Sequence, residues 1–387
     1  MATSSEGPPR QARGPVPAGG IGGRLVRFEQ TDDAGQPTGR SASFAGVQFA
    51  GLQYADLIDH TLGTPINVPL KWTDARVVES NFEGLPVEAV GSAKATLESP
   101  YSSRTIGLVR DGWLPSGVAL QDDIIVLPDR CTVSELAGRF RGGKKTDEGD
   151  KDFLDLFADQ PVRINPLFFA LEGNLRRNPS PEVIEQQLDH ACSVISAALP
   201  LAQLVPGRSG LQGVIGIVND TDAGMARKQA LLVRLAPLLR APVASRRVEQ
   251  RWNEVLAIAD ECDVPRRSLV VLAALSAVCV PNGKSPAKRL LKLNEADYSL
   301  EHAYNALADL RSLEVLMHLF AMFPKEKLML CTGDKDLALF WAGIRASAHL
   351  LDDGRFEGRF SPVEALFPGV PSVLWRSYFS TEAPGKT

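Results

Sequence analysis

The chain has 387 residues, 44% of them hydrophobic, which allows a large core in one or two domains. With 42 basic and 46 acidic residues the formal net charge is -4, which excludes nucleic-acid binding through overall charge and leaves only a local basic patch. The five cysteines contain no CxxC pair and the five histidines are dispersed, which predicts buried free thiols in a reducing compartment and no zinc site. No transmembrane run or signal-peptide core is present, so we predict a cytoplasmic protein without membrane contacts.

The N-terminal third carries no chemical motif. Residues 1–23 are rich in Pro, Gly, Ser and Ala, which predicts a disordered tail. Residues 24–117 contain short apolar segments broken by Gly, Pro and Asp, which predicts a small β-rich or α+β region. The expected elements are strands at Leu25–Phe28 and Thr105–Val109 and a short helix at Gln53–Leu62.

The next region, which begins near residue 118, contains two carboxylates in apolar surroundings. The apolar run Ile124–Leu127 predicts a buried strand, and Asp129 follows it directly before a helix. A second apolar run, Leu167–Leu171, leads to Glu172. A carboxylate there is costly to bury unless it is paired or binds a cation. Because Arg176 and Arg177 follow closely, a structural Glu–Arg pair is the alternative interpretation.

Residues 180–292 have the pattern of a helical insertion. A helix begins after Ser180, and two more helices over Val248–Val280 are divided near Pro265. The sequence GLQGVIGIVNDTDAG does not fit a dinucleotide-binding loop, and its acidic turn, a rival metal site, is better explained by turn chemistry. A basic stretch at 281–292 is the best candidate for contacts with phosphate, although solvated surface is the simpler explanation; its members are Lys284, Lys288, Arg289 and Lys292.

A long helix is predicted over Asp297–Phe323, with Asn305 and Asp309 on one face because they are four residues apart. The buried strand Leu328–Cys331 follows, and the chain then passes through Thr332 and Asp334 into another helix. Asp334 is either a helix N-cap or part of a site at the carboxyl edge of a sheet. Residues 346–387 are predicted to form a C-terminal extension with a loose tail.

Four carboxylates therefore stand at strand ends or on helices facing a predicted sheet: Asp129, Glu172, Asp309 and Asp334. We predict that they meet in one cleft. Such carboxylates repel one another, and a divalent cation relieves the repulsion. Mg²⁺ or Mn²⁺ prefers oxygen ligands, can polarise a phosphodiester and activates a water molecule. This pattern predicts phosphodiester hydrolysis without a nucleophilic Ser, Cys or His.

These residues resemble the PIN-domain nucleases, over about residues 122–345. The match consists of IIVLPDRCTVSEL, FFALEGN, YNALADLRSL and the Thr-x-Asp turn in LCTGDKDL. The resemblance implies a PIN-like α/β domain, a parallel sheet flanked by helices, over residues 118–345. It also implies a Mg²⁺- or Mn²⁺-dependent endoribonuclease, as in many bacterial toxins, with a possible inhibitory protein partner. RNA is favoured over DNA, although no residue evidently reads a 2′-hydroxyl.

Several alternatives remain open at this stage. Asp297 is a rival third acid, and Asp336 is either a further metal ligand or a surface cap. A catalytically silent PIN-like module that binds RNA or protein would have an acid neutralised by a nearby arginine. A haloacid-dehalogenase phosphatase would need a DxD motif, where this chain has Asp129-Arg130-Cys131. The sequence does not predict an oligomeric state.

Overall fold

The computed structural model describes residues 25–32, 34, 36–97, 101–120, 124–147, 149–173, 176–205, 208–281, 284–351, 353 and 355–379. The predicted disordered tail and the predicted loose C-terminal tail lie outside these residues. The described chain forms two compact units. The first contains residues 25–48 and 72–93, and the second contains residues 49–71 and 94–379.

The strands are β1 Val26–Thr31, β2 Pro37–Ala45, β3 Gln48–Phe49, β4 Val68–Ser80, β5 Val90–Leu97, β6 Ile106–Val109, β7 Gly112–Pro115, β8 Ile125–Pro128, β9 Phe140–Arg141, β10 Lys144–Lys145, β11 Arg163–Ile164, β12 Gln203–Leu204, β13 Leu328–Thr332, β14 Ala346–Leu350 and β15 Phe356–Phe360. The helices are α1 Tyr54–Ile58, α2 Ser116–Ala119, α3 Arg130–Arg139, α4 Leu167–Glu172, α5 Pro181–Ala198, α6 Arg208–Leu239, α7 Val248–Glu261, α8 Leu269–Cys279, α9 Pro286–Leu290, α10 Leu300–Met322, α11 Lys335–Ile344 and α12 Ser372–Phe379. Short 3-10 turns occur at Phe153–Phe157, Ser245–Arg247 and Glu364–Leu366.

The first unit is an antiparallel β-structure. Strand β1 pairs with β2, and β2 pairs with β4. Its aromatic core joins Phe28, Phe44 and Trp72, with ring centroids 5.0 Å apart for Phe28 and Trp72. Trp72 is therefore part of the local core of this unit.

The second unit is built on a six-stranded mixed sheet with the order β12-β11-β8-β13-β6-β7. The four strands from β12 to β13 are mutually parallel, whereas β6 and β7 run antiparallel to their neighbours. The pairing of β8 and β13 joins Ile125 to Leu328 and Pro128 to Cys331. Because these two parallel strands are in register, the residues that follow them, Asp129 and Asp334, emerge at the same edge of the sheet.

Helices flank this sheet, so the predicted α/β class is confirmed. Helix α8 is buried along its whole length. Because none of its faces is exposed to solvent, its sequence is almost entirely apolar. Helix α10 contacts α4, α6 and α8 and carries Asp309. Among the described residues, no helix combines the length and apolarity that a membrane span requires.

Two predicted regions, and the prediction that the cysteines are buried, differ from the structure. Residues 24–117 do not form one region, because 49–71 and 94–117 belong to the second unit, where β6 and β7 complete the sheet. Residues 180–292 are not wholly an insertion, because β12 pairs with β11 inside the sheet and the added helices follow it. The predicted thiols also differ, since Cys131 is exposed and only Cys279 and Cys331 are buried.

We predict that Gly117→Ala destabilises the second unit by about 2 kcal/mol or more, because a Cβ atom there would lie 2.0 Å from the carbonyl oxygen of Phe153. The matched control is Gly138→Ala on exposed α3, where no atom lies within 4 Å of the added methyl group. This control should be stabilising by roughly 0.5–1 kcal/mol, the usual helical gain for this change. Urea unfolding of both variants measures the effects, and equal free energies of unfolding would contradict the described packing.

Candidate acidic site

Asp129 and Asp334 are both helix N-caps at the ends of neighbouring strands. Asp129 Oδ1 accepts the backbone N–H of Thr132 at 2.7 Å, at the start of α3. Asp334 Oδ1 accepts the backbone N–H groups of Asp336 at 2.7 Å and Leu337 at 3.0 Å, at the start of α11. The capping interpretation is therefore correct for both, but it does not exclude a site, since capping by Asp334 uses one carboxylate oxygen.

Two threonine hydroxyls connect the two strand ends. Thr332 is fully buried; its Oγ1 accepts the Asp334 backbone N–H at 2.9 Å, and its hydroxyl hydrogen-bonds the Asp129 carboxylate. Thr132 is also buried and donates its hydroxyl to the Cys331 carbonyl at 2.7 Å. The Asp129 backbone N–H reaches the same carbonyl at 3.0 Å. These bonds fix the two aspartates relative to each other.

Glu172 is the last residue of α4, a helix that follows strand β11 and is otherwise buried. Its carboxylate accepts the backbone N–H of Arg130 at the first position of α3. Asp309 lies on α10. Among the described residues, no hydrogen bond reaches the Asp309 carboxylate. We name Asp129, Glu172, Asp309 and Asp334 the acidic cluster.

Members of the acidic cluster shift one another's pKa values. Burial raises the pKa of Asp309 well above its ordinary value, and the charges of Asp334, Glu172 and Asp129 raise it further. Burial and then Asp129 raise the pKa of Glu172 from 4.5 to about 7. Burial also raises the pKa values of Asp129 and Asp334, against the hydrogen bonds that lower them. All four residues are partly exposed as whole residues, and the carboxyl groups of Asp129 and Asp309 are the most deeply buried.

Lys292 is a cation whose charge acts on three members of the acidic cluster. Its charge lowers the pKa values of Glu172, Asp309 and Asp334. It lies in the turn after α9 and has a left-handed backbone, with φ of 55°. No ion pair within 4.0 Å joins it to the cluster in the described chain, so its ammonium group is held near the acids without a direct contact.

The rest of the predicted basic patch needs correction. Lys288 is only 2% exposed, and its Nζ donates to the Arg240 carbonyl at 2.6 Å, so it does not form a surface contact for nucleic acid. Arg289 forms a bidentate ion pair with Asp336, at 2.5 to 3.0 Å. Because each side chain neutralises the other, Arg289 is not supported as a nucleic-acid contact. Asp336 is likewise not supported as a fifth metal ligand. Lys284 remains exposed.

Of the nearby arginines, the Arg130 side chain acts on the cluster only through its charge, which lowers the pKa of Glu172. Arg130 donates to Gln187 Oε1 at 2.7 Å and lies over the Phe169 ring, 4.3 Å from its centroid. Arg176 pairs with Glu301 at 3.1 Å. No described ion pair joins an arginine to the acidic cluster. The predicted Glu172–Arg pair is therefore not formed by Arg176.

Other candidate residues are distributed as follows. Asn305 lies one helical turn before Asp309 on α10 and is partly exposed. Asp297 is exposed in a turn before α10 and does not contribute to the shifted pKa values of the cluster, which favours Asp309 as the third acid. The predicted acidic turn is wrong, because Asp220 and Asp222 lie within α6; Asp222 accepts a hydrogen bond from the Asn178 side chain at the surface.

Sequence reasoning missed three residues around the cluster. Cys131 is close enough to all four acids that burial and their charges raise the pKa of its thiol to about 12, so it stays protonated. Tyr304 and Arg311 are buried on α10 and contact the end of α4. The available signal was Arg311, the one basic residue in the stretch from Ala306 to Met317, since a charge among so many apolar side chains requires a partner.

The residues fit a divalent cation in donor type and charge. Every member supplies carboxylate oxygens, and their raised pKa values show that the negative charges are unfavourable as they stand. However, no three His, Cys, Asp or Glu side chains within the described ranges are grouped tightly enough to hold a metal ion. Such spacing suits a cation held by one or two carboxylates directly and by water for the rest, which is the usual mode of Mg²⁺.

Comparisons with protein-family models, with curated proteins and with solved structures give no match for this chain. Any inference about the function of this protein therefore depends on the acidic cluster itself.

We predict that the free energy of unfolding, measured in chelator, decreases as pH rises from about 4.5 to 7. Burial raises the pKa of Glu172 from 4.5 to about 7, so across this interval the folded state binds more protons than the unfolded state. The stabilising protonated form is fully present below the unfolded pKa and is lost above the folded one.

Glu172→Gln should remove part of this decrease and be more stable than wild type at pH 8 by about 1–2 kcal/mol, after allowance for partial exposure. The difference should nearly vanish at pH 4. Urea unfolding at both pH values measures it. An equal change in stability at pH 4 and pH 8 would show that the Glu172 carboxyl is not destabilised by its surroundings.

Proposed function

We propose that this protein is a divalent-cation-dependent nuclease of PIN-like type that cleaves single-stranded RNA. The observation that carries the proposal is that Asp129 and Asp334 end adjacent, in-register strands and share the hydrogen bonds of Thr332, with Glu172 and Asp309 close enough to shift the same pKa values. In open α/β sheets, this edge is where ligands bind. Because repulsion and burial make the cluster unfavourable alone, a bound cation would stabilise it.

In this proposal one or two of Asp129, Asp309 and Asp334 would hold Mg²⁺ or Mn²⁺ directly, and the remaining acids, Glu172 among them, would hold it through bound water. The bound cation would polarise the phosphodiester and lower the pKa of a water molecule. Thr332 keeps Asp129 and Asp334 in place through its two hydrogen bonds. The high pKa of Glu172 gives it a proton near neutral pH, which suits transfer to a leaving oxygen.

Lys292 supplies the local positive charge that the net charge of -4 does not. Once a cation has bound the carboxylates, the ammonium group of Lys292 is available to a phosphate oxygen. Its place beside the acids would put the scissile phosphate near the cluster. A role in a bacterial toxin or defence system, with an inhibitory protein partner, is part of the proposal only through the PIN-like resemblance.

The second candidate function is a catalytically silent module that binds RNA or a protein. It is favoured by Lys292, which already offsets part of the cluster's charge, and by the absence of a closed metal-ligand group in the described chain. Against it, no described ion pair joins Lys292 to any of the four acids. The two functions differ in whether Lys292 replaces the cation or acts beside it.

We predict that Asp309→Asn and Asp334→Asn each lower Mn²⁺-dependent cleavage of single-stranded RNA by at least about a hundredfold. Asp309→Asn should leave the melting temperature in chelator unchanged or raise it, because one buried negative charge is removed. Asp297→Asn is the matched control, an exposed acid before the same helix, and should cleave at the wild-type rate. Loss of cleavage in Asp297→Asn, with Asp309→Asn active, would reverse the assignment of the third acid.

Lys292→Met tests the second candidate. We predict about tenfold weaker binding of single-stranded RNA in Ca²⁺, because one charge-assisted phosphate contact is lost, and a salt slope reduced by about 0.7. Lys284→Met, an exposed lysine of the same basic stretch, should bind almost as wild type. If Lys292→Met instead retains RNA affinity but gains Mn²⁺ affinity and loses stability in chelator, Lys292 is the structural substitute for a cation and the module is silent.

A further inference from the structure

Helix α10 carries a second pair of polar residues beside Asp309. Tyr304 and Arg311 are both only 2% exposed and both reach the last turn of α4, which ends at Glu172. Tyr304 Oη donates to the carbonyl oxygen of Glu172 at 3.1 Å. Arg311 Nη2 donates to the carbonyl oxygen of Leu171, and also to Tyr304 Oη at 3.3 Å. Helix α10 thus carries Asp309 and also hydrogen-bonds the backbone at Glu172, a second member of the acidic cluster.

These hydrogen bonds satisfy backbone carbonyl groups at the C-terminal end of α4. The last carbonyls of a helix have no partner within the helix, and α4 has only six residues. Gly173 follows at once with φ of 66°, so the chain leaves the helix directly after Glu172. The hydrogen bonds from Tyr304 and Arg311 therefore help to fix the position of the Glu172 backbone at the end of α4.

Stability alone does not account for Arg311. A guanidinium group buried in a helix core is costly, and apolar residues of similar volume are often equally stabilising or better there. Arg311 also has a buried Nε with no hydrogen-bond partner in the described chain, so its burial is only partly compensated. Its remaining bonds hold the end of α4 and, through Nη1 at 2.9 Å, the Asn178 side chain beyond it.

We propose that Tyr304 and Arg311 are positioning residues that set the separation of the Glu172 and Asp309 carboxylates. This assignment rests on the proposed function, because that separation matters when both acids act on one cation and one phosphate. Hydrogen-bonded residues behind metal ligands typically change affinity or activity by 10- to 100-fold when removed. The pair would act in this way through the α4 backbone, without touching substrate.

The test is Tyr304→Phe, which removes the bond to the Glu172 carbonyl and keeps the ring. Tyr378→Phe is the matched control, because its buried hydroxyl donates to a backbone carbonyl, that of Arg266, on other elements. Mn²⁺ affinity is measured by calorimetry on the full chain without substrate, alongside kcat, KM and melting temperature. For Tyr304→Phe we expect about tenfold weaker Mn²⁺ binding and about tenfold lower kcat, with KM near wild type. For Tyr378→Phe we expect a lower melting temperature, as for Tyr304→Phe, but wild-type Mn²⁺ affinity and kcat.

Arg311→Lys and Arg311→Met extend the test, with the lysine retaining more Mn²⁺ affinity than the methionine. If either fails to fold, Tyr304→Phe still decides the question. Wild-type Mn²⁺ affinity and kcat in Tyr304→Phe would overturn the positioning role while leaving the nuclease proposal intact. A wild-type protein that neither binds Mn²⁺ nor cleaves RNA would overturn the proposed function and this assignment with it.

Discussion

The mutual repulsion of the acidic cluster is the constraint on which the rest of the site depends. Four carboxylates lie close enough to raise one another's pKa values while burial removes water that would screen them. The fold offsets part of this cost with the backbone N–H groups at the starts of α3 and α11, which donate to Asp129, Glu172 and Asp334. Helix N-termini also carry partial positive charge, so both helices stabilise the acids they meet. What remains uncompensated is the driving force for cation binding in the proposed function.

The two strand-end aspartates could be predicted because their signal is local. A short apolar run, an Asp and a helical pattern stand together in the sequence at Asp129 and at Asp334, and the structure confirms strand, N-cap and helix at both. The choice of Asp309 over Asp297 rested on its place inside the long helix, which α10 confirms. Whether the four acids act in catalysis, and whether the fold is PIN-like, remain proposals.

The basic stretch could not be interpreted in the same way. A run of charged residues in a sequence does not show which side chains turn inwards, and here neighbouring residues have opposite environments. Lys288 is buried against a carbonyl, Arg289 pairs with Asp336, and the charge of Lys292 acts on the acids. The partners of Lys288 and Arg289 are 48 and 47 residues away, which no local pattern contains. The same limit applies to β6 and β7, whose place in the sheet depends on the distant strand β13.

Lys292 and a divalent cation are alternative ways of balancing the same charges. A lysine brings one positive charge on a flexible stem, whereas Mg²⁺ or Mn²⁺ brings two and accepts several oxygen ligands at once. Besides burial, the charges of Asp334, Glu172 and Asp129 raise the pKa of Asp309 while Lys292 alone lowers it, which indicates that one ammonium group offsets only part of the repulsion. We therefore favour the cation, with Lys292 left to contact an anionic substrate.

The most direct test is a crystal structure of the protein soaked in Mn²⁺ near pH 7.5, with an anomalous difference map collected at the manganese edge. The account predicts a peak among the carboxylates of Asp129, Asp309 and Asp334, with at least one direct carboxylate–manganese contact of about 2.2 Å and Lys292 outside the first ligand shell. A map without a peak at this edge of the sheet, or with the Lys292 ammonium group in direct contact with the carboxylates in its place, would contradict it.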